Sequence, residues 1–221
     1  MNRTLKFLLP VLLLFVSAPM FAHTVNYSME LKPASDVVSF YLGLGFQHIL
    51  PYGIDHIFFV LCLFLLEPKL KSVILQASCF TIAHTVTLIL SMSGTIKPAA
   101  SIVEPIIAIS IVFVALENVF VGELKPSRYI VVFLFGLIHG MGFASALNEI
   151  GLPRNAFFTS LISFNVGVEL GQIAIILAAY LLIGVWFSKE VWYRKRVVYP
   201  MSIAIALIAS YWTIERIFFA V

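Results

Sequence analysis

From residue 37 to its end the chain is a succession of apolar runs, most of them as long as a bilayer is thick, separated by short polar breaks: 37–66, 73–92, 101–119, 129–147, 157–187 and 197–221. A spanning helix needs about 20 mainly apolar residues, and in lipid the backbone must satisfy its own polar groups, so each run predicts a helix. The first run is interrupted by His48, Pro51, Gly53 and Asp55. It reads as a shorter element over 37–50 and a helix over 53–66, with the break expected at the outer surface. The expected fold is an all-α, polytopic membrane helix bundle of about six transmembrane helices, with a broken re-entrant or interfacial outer helix near residues 37–52. Composition agrees: 61% of the residues are hydrophobic and 11% charged, against roughly a quarter charged in soluble domains. A cytosolic enzyme, a nucleic-acid binder and a disordered segment are excluded.

The N-terminus carries a second pattern. Arg3 and Lys6 precede an apolar stretch from Phe7 to Val16, and small residues follow up to Ala22. This reads as a bacterial secretory signal peptide over 1–22, although Met20 departs from the small-residue rule and an uncleaved anchor is the alternative. Residues 23–36 then form a short outer tail, and 37–221 a single transmembrane domain. Cleavage after Ala22 leaves His23 first, a residue able to chelate metal. With that end outside, the inner loops hold Lys69, Lys71, Lys125, Arg128, Lys189, Arg194, Lys195 and Arg196, and the outer ones Lys32, Lys97 and Arg154. This is the positive-inside asymmetry. It predicts the bacterial inner membrane with both mature termini outside, and it makes the net charge of +3 an orientation signal. Cys62 and Cys79 lie apart in apolar runs, form no metal or disulfide motif and read as core residues.

Ionisable groups inside a span are costly and so mark function. Here they are His48, Asp55, His56, His84, Glu104, Glu117, His139, Glu169, Glu215 and Arg216, and they include four of the chain's five histidines. His48, Asp55 and His56 place two imidazoles and a carboxylate within one short stretch, and Pro51 and Gly53 let the chain fold back. Imidazole with carboxylate suits nickel, cobalt, zinc, manganese or iron; the alternative is an Asp55 helix cap with interfacial histidines. His84 and His139 fall at matched depth, roughly 15 Å from the inner face at 1.5 Å per residue. Gly136, Gly140 and Ala144 recur every four residues, a spacing that lets helices approach closely. Asn165, Glu169 and Gln172 share one helical face, and Glu169 is expected to complete a site with His84 and His139. Glu104 and Glu117 stand near opposite ends of their run as markers of entry and exit, or Glu117 pairs with Lys125 or Arg128. Glu215 and Arg216 read as a local or interfacial pair.

The stretches HILPYGIDHIFFVLCLFLL (48–66), FTIAHTVTL (80–88), EPIIAISIVFVALEN (104–118), FGLIHGMGFA (135–144) and FNVGVELGQ (164–172) resemble the HupE/UreJ family of bacterial membrane proteins, and cover most of the mature chain in order. The resemblance implies an accessory protein of nickel hydrogenases or ureases that acts as a secondary nickel or cobalt permease. It points to His48, Asp55, His56 and His139 as metal-path residues. The better-known members carry a second histidine and a glutamate soon after the His-Gly pair. Residues 139–144 here have neither, so the chain resembles a divergent second branch in which Glu169 is expected to replace the carboxylate.

Three readings follow. The first is a permease for a divalent transition metal, captured at His48, Asp55 and His56, passed to His84, His139 and Glu169 and released past Glu117, with Glu104, Asn165 and Gln172 along the polar path. Because ligand groups must shed protons to bind, its uptake falls at acid pH. The second is an intramembrane zinc hydrolase, for which Ser101, Ser145 and Ser163 are available hydroxyls without a motif. The third is a structural or accessory membrane protein for metalloenzyme maturation. The expected partners are the lipid bilayer and the metal ion, with no nucleic acid; a homo-oligomer is compatible with all three.

Overall fold

Proline and glycine divide the apolar runs where the polar breaks do, and the described residues form seven long helices. The computed structural model describes residues 29–97 and 99–219; the expectations for 1–22 and His23 lie outside them. The helices are α1 (Ala34–Ile49), α2 (Ile54–Leu66), α3 (Leu70–Met92), α4 (Ala100–Phe120), α5 (Ser127–Ile150), α6 (Phe157–Ala179) and α7 (Tyr199–Phe218). The α6 span runs from Arg154 to Phe187 and the α7 span from Arg194 to Phe218. Among the described residues five helices, α3 to α7, are long and apolar enough to cross a membrane, and α1 with α2 forms a pair bent by 69° that makes a sixth if it is counted as one span. The chain is thus an all-α, multi-pass membrane protein. Gly94 and Gly151, both at positive φ (75° and 82°), form the turns after α3 and α5, a conformation glycine adopts without steric cost.

We call upper the end at which α1, α4 and α6 begin. Three close helix pairs build the bundle, and small residues make two of them. In the α3·α5 pair, Gly136 lies on Phe80 and Ala83, and Gly140 on the His84 carbonyl and Thr87. Thr87 Oγ1 also donates to the Leu137 carbonyl at 2.7 Å. Positions rise together along both helices, so they run parallel. In the α1·α6 pair, Gly45 meets the Phe164 carbonyl, Gly167 the Leu42 carbonyl and Gly171 the Ile49 side chain, again in parallel. Helix association in lipid depends on such close packing, because the tails offer no hydrophobic drive between helices. The third pair, α4·α7, is antiparallel: Arg216 reaches Glu104 at one end and Asn118 reaches Ser202 at the other.

At the break between α1 and α2, Ile49 is buried while Tyr52 is 72% exposed. Ile49 packs on Gly171, about 14 residues or roughly 21 Å along α6 from Phe157. Glycines on both helices let α1 lie lengthwise against α6 and carry its last turn inward. Irregular backbone survives at such depth only where protein or a wet cavity receives it, and a cavity opens beside this turn.

Candidate metal centre

Four helix segments bring four histidines together. His48 ends α1, His56 sits in the first turn of α2, and His84 and His139 lie within α3 and α5. The turn between α1 and α2 is tight because Gly53 has no side chain. A Cβ there would run into the His48 carbonyl. This return sets the His56 ring 4.7 Å from the His48 ring. His84 is 6.3 Å from His48 and 6.2 Å from His56, and His139 is 5.0 Å from His56. One nitrogen from each of His48, His56 and His84 lies within 4.8 Å of the other two. His56, His84 and His139 are buried. Each of the four keeps one buried nitrogen without a partner: Nε2 of His48, His56 and His84, and Nδ1 of His139. Unsatisfied buried polar atoms are uncommon in folded proteins, and with three of these rings converging the cluster is a candidate cation site.

The opposite ring nitrogens of two of these histidines are held. Asn165 Nδ2 donates to the Leu161 carbonyl at 2.8 Å, so its Oδ1 is the acceptor toward His84 Nδ1 at 3.1 Å. His84 therefore carries its proton on Nδ1, and Nε2 presents a lone pair. Ser110 Oγ spends its hydrogen on the Ile107 carbonyl at 2.6 Å and accepts from His139 Nε2 at 3.0 Å. That leaves the His139 Nδ1 lone pair free. A ligand histidine whose second nitrogen is hydrogen-bonded in this way has its tautomer and ring orientation fixed.

A cavity of about 430 Å³ reaches the site from the upper end; His48, His56 and His139 line it, together with Asp55, Glu104, Trp212 and Arg216. Asp55 is in the first turn of α2 but makes no capping bond; Gly53 holds the cap position. Its carboxylate instead accepts from Arg216 Nη2 at 2.7 Å. Arg216 is thus no partner of Glu215, as its sequence neighbourhood suggests, but of a residue 161 positions away. Below the histidines, Phe59 and Phe80 are buried and their rings lie 5.5 Å and 5.0 Å from His139. Lower still, Arg128 Nη1 stands 2.9 Å from Glu117 Oε2, while Nη2 donates to the Cys62 carbonyl and to Asn118 Oδ1. Arg128 is 1% exposed, so this expected loop cation closes the lower end from within. Cys62 and Cys79 are free.

The other sequence candidates lie apart from the converging nitrogens. Glu169 accepts from Ser78 Oγ at 2.6 Å and is not among the residues whose ligand atoms converge. Gln172 accepts from Thr81 Oγ1 at 3.0 Å. Asn165 serves the site through His84. Ser110 was not legible as a site residue, and Arg216, though among the ionisable span residues, read as part of a local or interfacial pair. A serine in an apolar run carries no spacing signal, and Arg216 looks interfacial until α7 is folded against α4.

The family model described as HupE / UreJ protein matches residues 9–216. No curated protein and no solved structure matches the chain.

Proposed function

The chain belongs to the HupE/UreJ family, and from that premise we propose that it is a secondary permease for a borderline divalent cation, nickel or cobalt. The observation that carries this reading is the convergence of one nitrogen from each of His48, His56 and His84 with His139 beside them, each of the four rings keeping one buried nitrogen without a protein partner. Imidazole donors suit nickel, cobalt, copper and zinc far better than magnesium or calcium. A cation of this class would enter the cavity from the upper end, which we place outside the cell. Asp55 and Glu104 supply negative charge at the mouth, and His48, His56, His84 and His139 replace the cation's water. Phe59, Phe80 and the Glu117–Arg128 pair bar the lower end in this conformation. Release inward past Glu117 would require that pair to part, and Glu169 and Gln172 lie on the face of α6 beside such a route. An intramembrane zinc hydrolase would use the same imidazoles.

The test is accumulation of radioactive nickel or cobalt in cells that express the wild type or the His56→Ala, His139→Ala double variant. Uptake should fall to background in the variant. Uptake at the wild-type level, with equal membrane expression, would sink the permease reading.

A further inference from the structure

Arg216 is a cation placed in the mouth of a site we read as built for cations. Its Nη2 holds Asp55 Oδ2 at 2.7 Å, and its Nη1 holds the Glu104 carbonyl at 3.2 Å. The guanidinium carbon lies 5.8 Å from the Trp212 ring centroid, one turn back on α7. Arg216, Asp55, Glu104 and Trp212 all line the cavity that contains His48, His56 and His139. Asp55 precedes His56 in the chain, so its carboxylate is the acidic group nearest in sequence to the ligand cluster. In this conformation that carboxylate is already taken.

We propose that Arg216 is a tethered competitor for Asp55, displaced when a divalent cation arrives, and that this exchange sets which cations reach the histidines. The inference rests on the permease reading of the same site. Two observations separate this pair from a structural one. The Asp55 and Arg216 side chains are 23% and 20% exposed, within reach of water in an open cavity. The Arg128 side chain at the lower end is 0% exposed and is held by three residues on two helices, Glu117 and Asn118 of α4 and Cys62 of α2. Arg216 also has somewhere to go: the Trp212 face accepts a guanidinium, and the Glu104 carboxylate lines the same cavity. The exchange favours charge. A dication at Asp55 gains about twice the Coulomb attraction of the guanidinium it replaces, whereas a monovalent ion gains none and loses the hydrogen bond. The pair is therefore a filter against sodium and potassium that a transition-metal dication passes.

The experiment is a cobalt(II) titration of the purified full chain in detergent, followed by ligand-field absorption. Arg216→Gln should bind cobalt about fivefold more tightly than the wild type, the scale of a part-exposed ion pair that no longer has to be broken. Added potassium should weaken cobalt binding more in Arg216→Gln than in the wild type. In an Asp55→Asn background, Arg216→Gln should change affinity by less than about twofold, since the contested carboxylate is gone and coupled residues show non-additivity. Arg216→Lys keeps the charge with a weaker hold on Asp55 and should bind cobalt tighter by a smaller factor; it decides the matter if the Gln variant does not fold. Equal or weaker cobalt binding by the folded variants, or the same gain in the Asp55→Asn background, would overturn the proposal and leave the histidine site standing. A wild-type protein that binds no cobalt would instead remove the histidine site, and this inference with it.

Discussion

Replacing Asn165 tests whether the imidazoles are preset as ligands. Asn165 is 5% exposed, His84 is 0% exposed, and the bond between them is 3.1 Å long. In Asn165→Leu, a change of similar volume, the His84 Nδ1–H loses its acceptor. Either it stays buried and unpaired, at a cost of about 1–3 kcal/mol, or the ring shifts its proton to Nε2. The second outcome puts the proton on the nitrogen that faces the other histidines and removes that donor. The other bond that Asn165 makes is to a carbonyl in its own helix, so its loss adds little. Partners of this kind typically contribute 10- to 100-fold to metal affinity, about 1.4 to 2.8 kcal/mol. Asn165→Leu should therefore weaken cobalt(II) binding by about that factor. Asn165→Asp keeps the acceptor and should retain most of the affinity. Cobalt absorption titrations supply the affinities, and nitrogen chemical shifts of labelled His84 report which nitrogen holds the proton. Wild-type affinity in a folded Leu variant, or an Asp variant as weak as the Leu one, would refute the reasoning.

Three further outcomes follow from the packing. Gly140→Val places a Cβ 2.9 Å from the His84 carbonyl carbon, must spread α3 from α5, and should destabilise the protein by about 1–3 kcal/mol, read as a lowered thermal midpoint in detergent. Arg128→Met leaves the Glu117 carboxylate and the Cys62 and Asn118 oxygens without their cation and should cost about 3–5 kcal/mol, with partial recovery on adding Glu117→Gln; denaturant titration measures both. Glu67, in the loop between α2 and α3, is held below the usual carboxylate range, first by its bond from Lys69, then with help from Ser72 and the Lys69 charge, against partial burial. A depressed carboxyl stabilises the fold above its unfolded value, and the benefit fades as pH falls through the folded one. The melting difference between wild type and Glu67→Gln should accordingly be present at neutral pH and shrink toward zero in acid, as a pH series of thermal melts would reveal.

Much of the site was visible in the residues themselves. His48, Asp55 and His56 stand out because polar groups are expensive in a span, and the depth match of His84 and His139 follows from helical rise along runs that start at one level. Gly136 and Gly140 announce a close helix contact, which the α3·α5 pair fulfils. The roles of Glu169 and Arg216 could not be read this way. Spacing places Glu169 on the same face as Asn165 and Gln172, but the rotation of α6 against its neighbours decides that Asn165 meets His84 while Glu169 meets Ser78. Arg216 sits near a chain end, where sequence makes it interfacial; only the antiparallel α4·α7 pair carries it over Asp55.

The sequence by itself determined the all-helical, membrane-spanning class and the small set of groups able to bind a cation. Both rest on local quantities: the length of an apolar run and the cost of a polar atom within it. The tertiary structure decided which of those groups meet. It set four imidazoles beside one another and gave Asp55 to Arg216, because these contacts depend on crossing geometry and close backbone approach between segments far apart in the chain. No local pattern encodes that geometry.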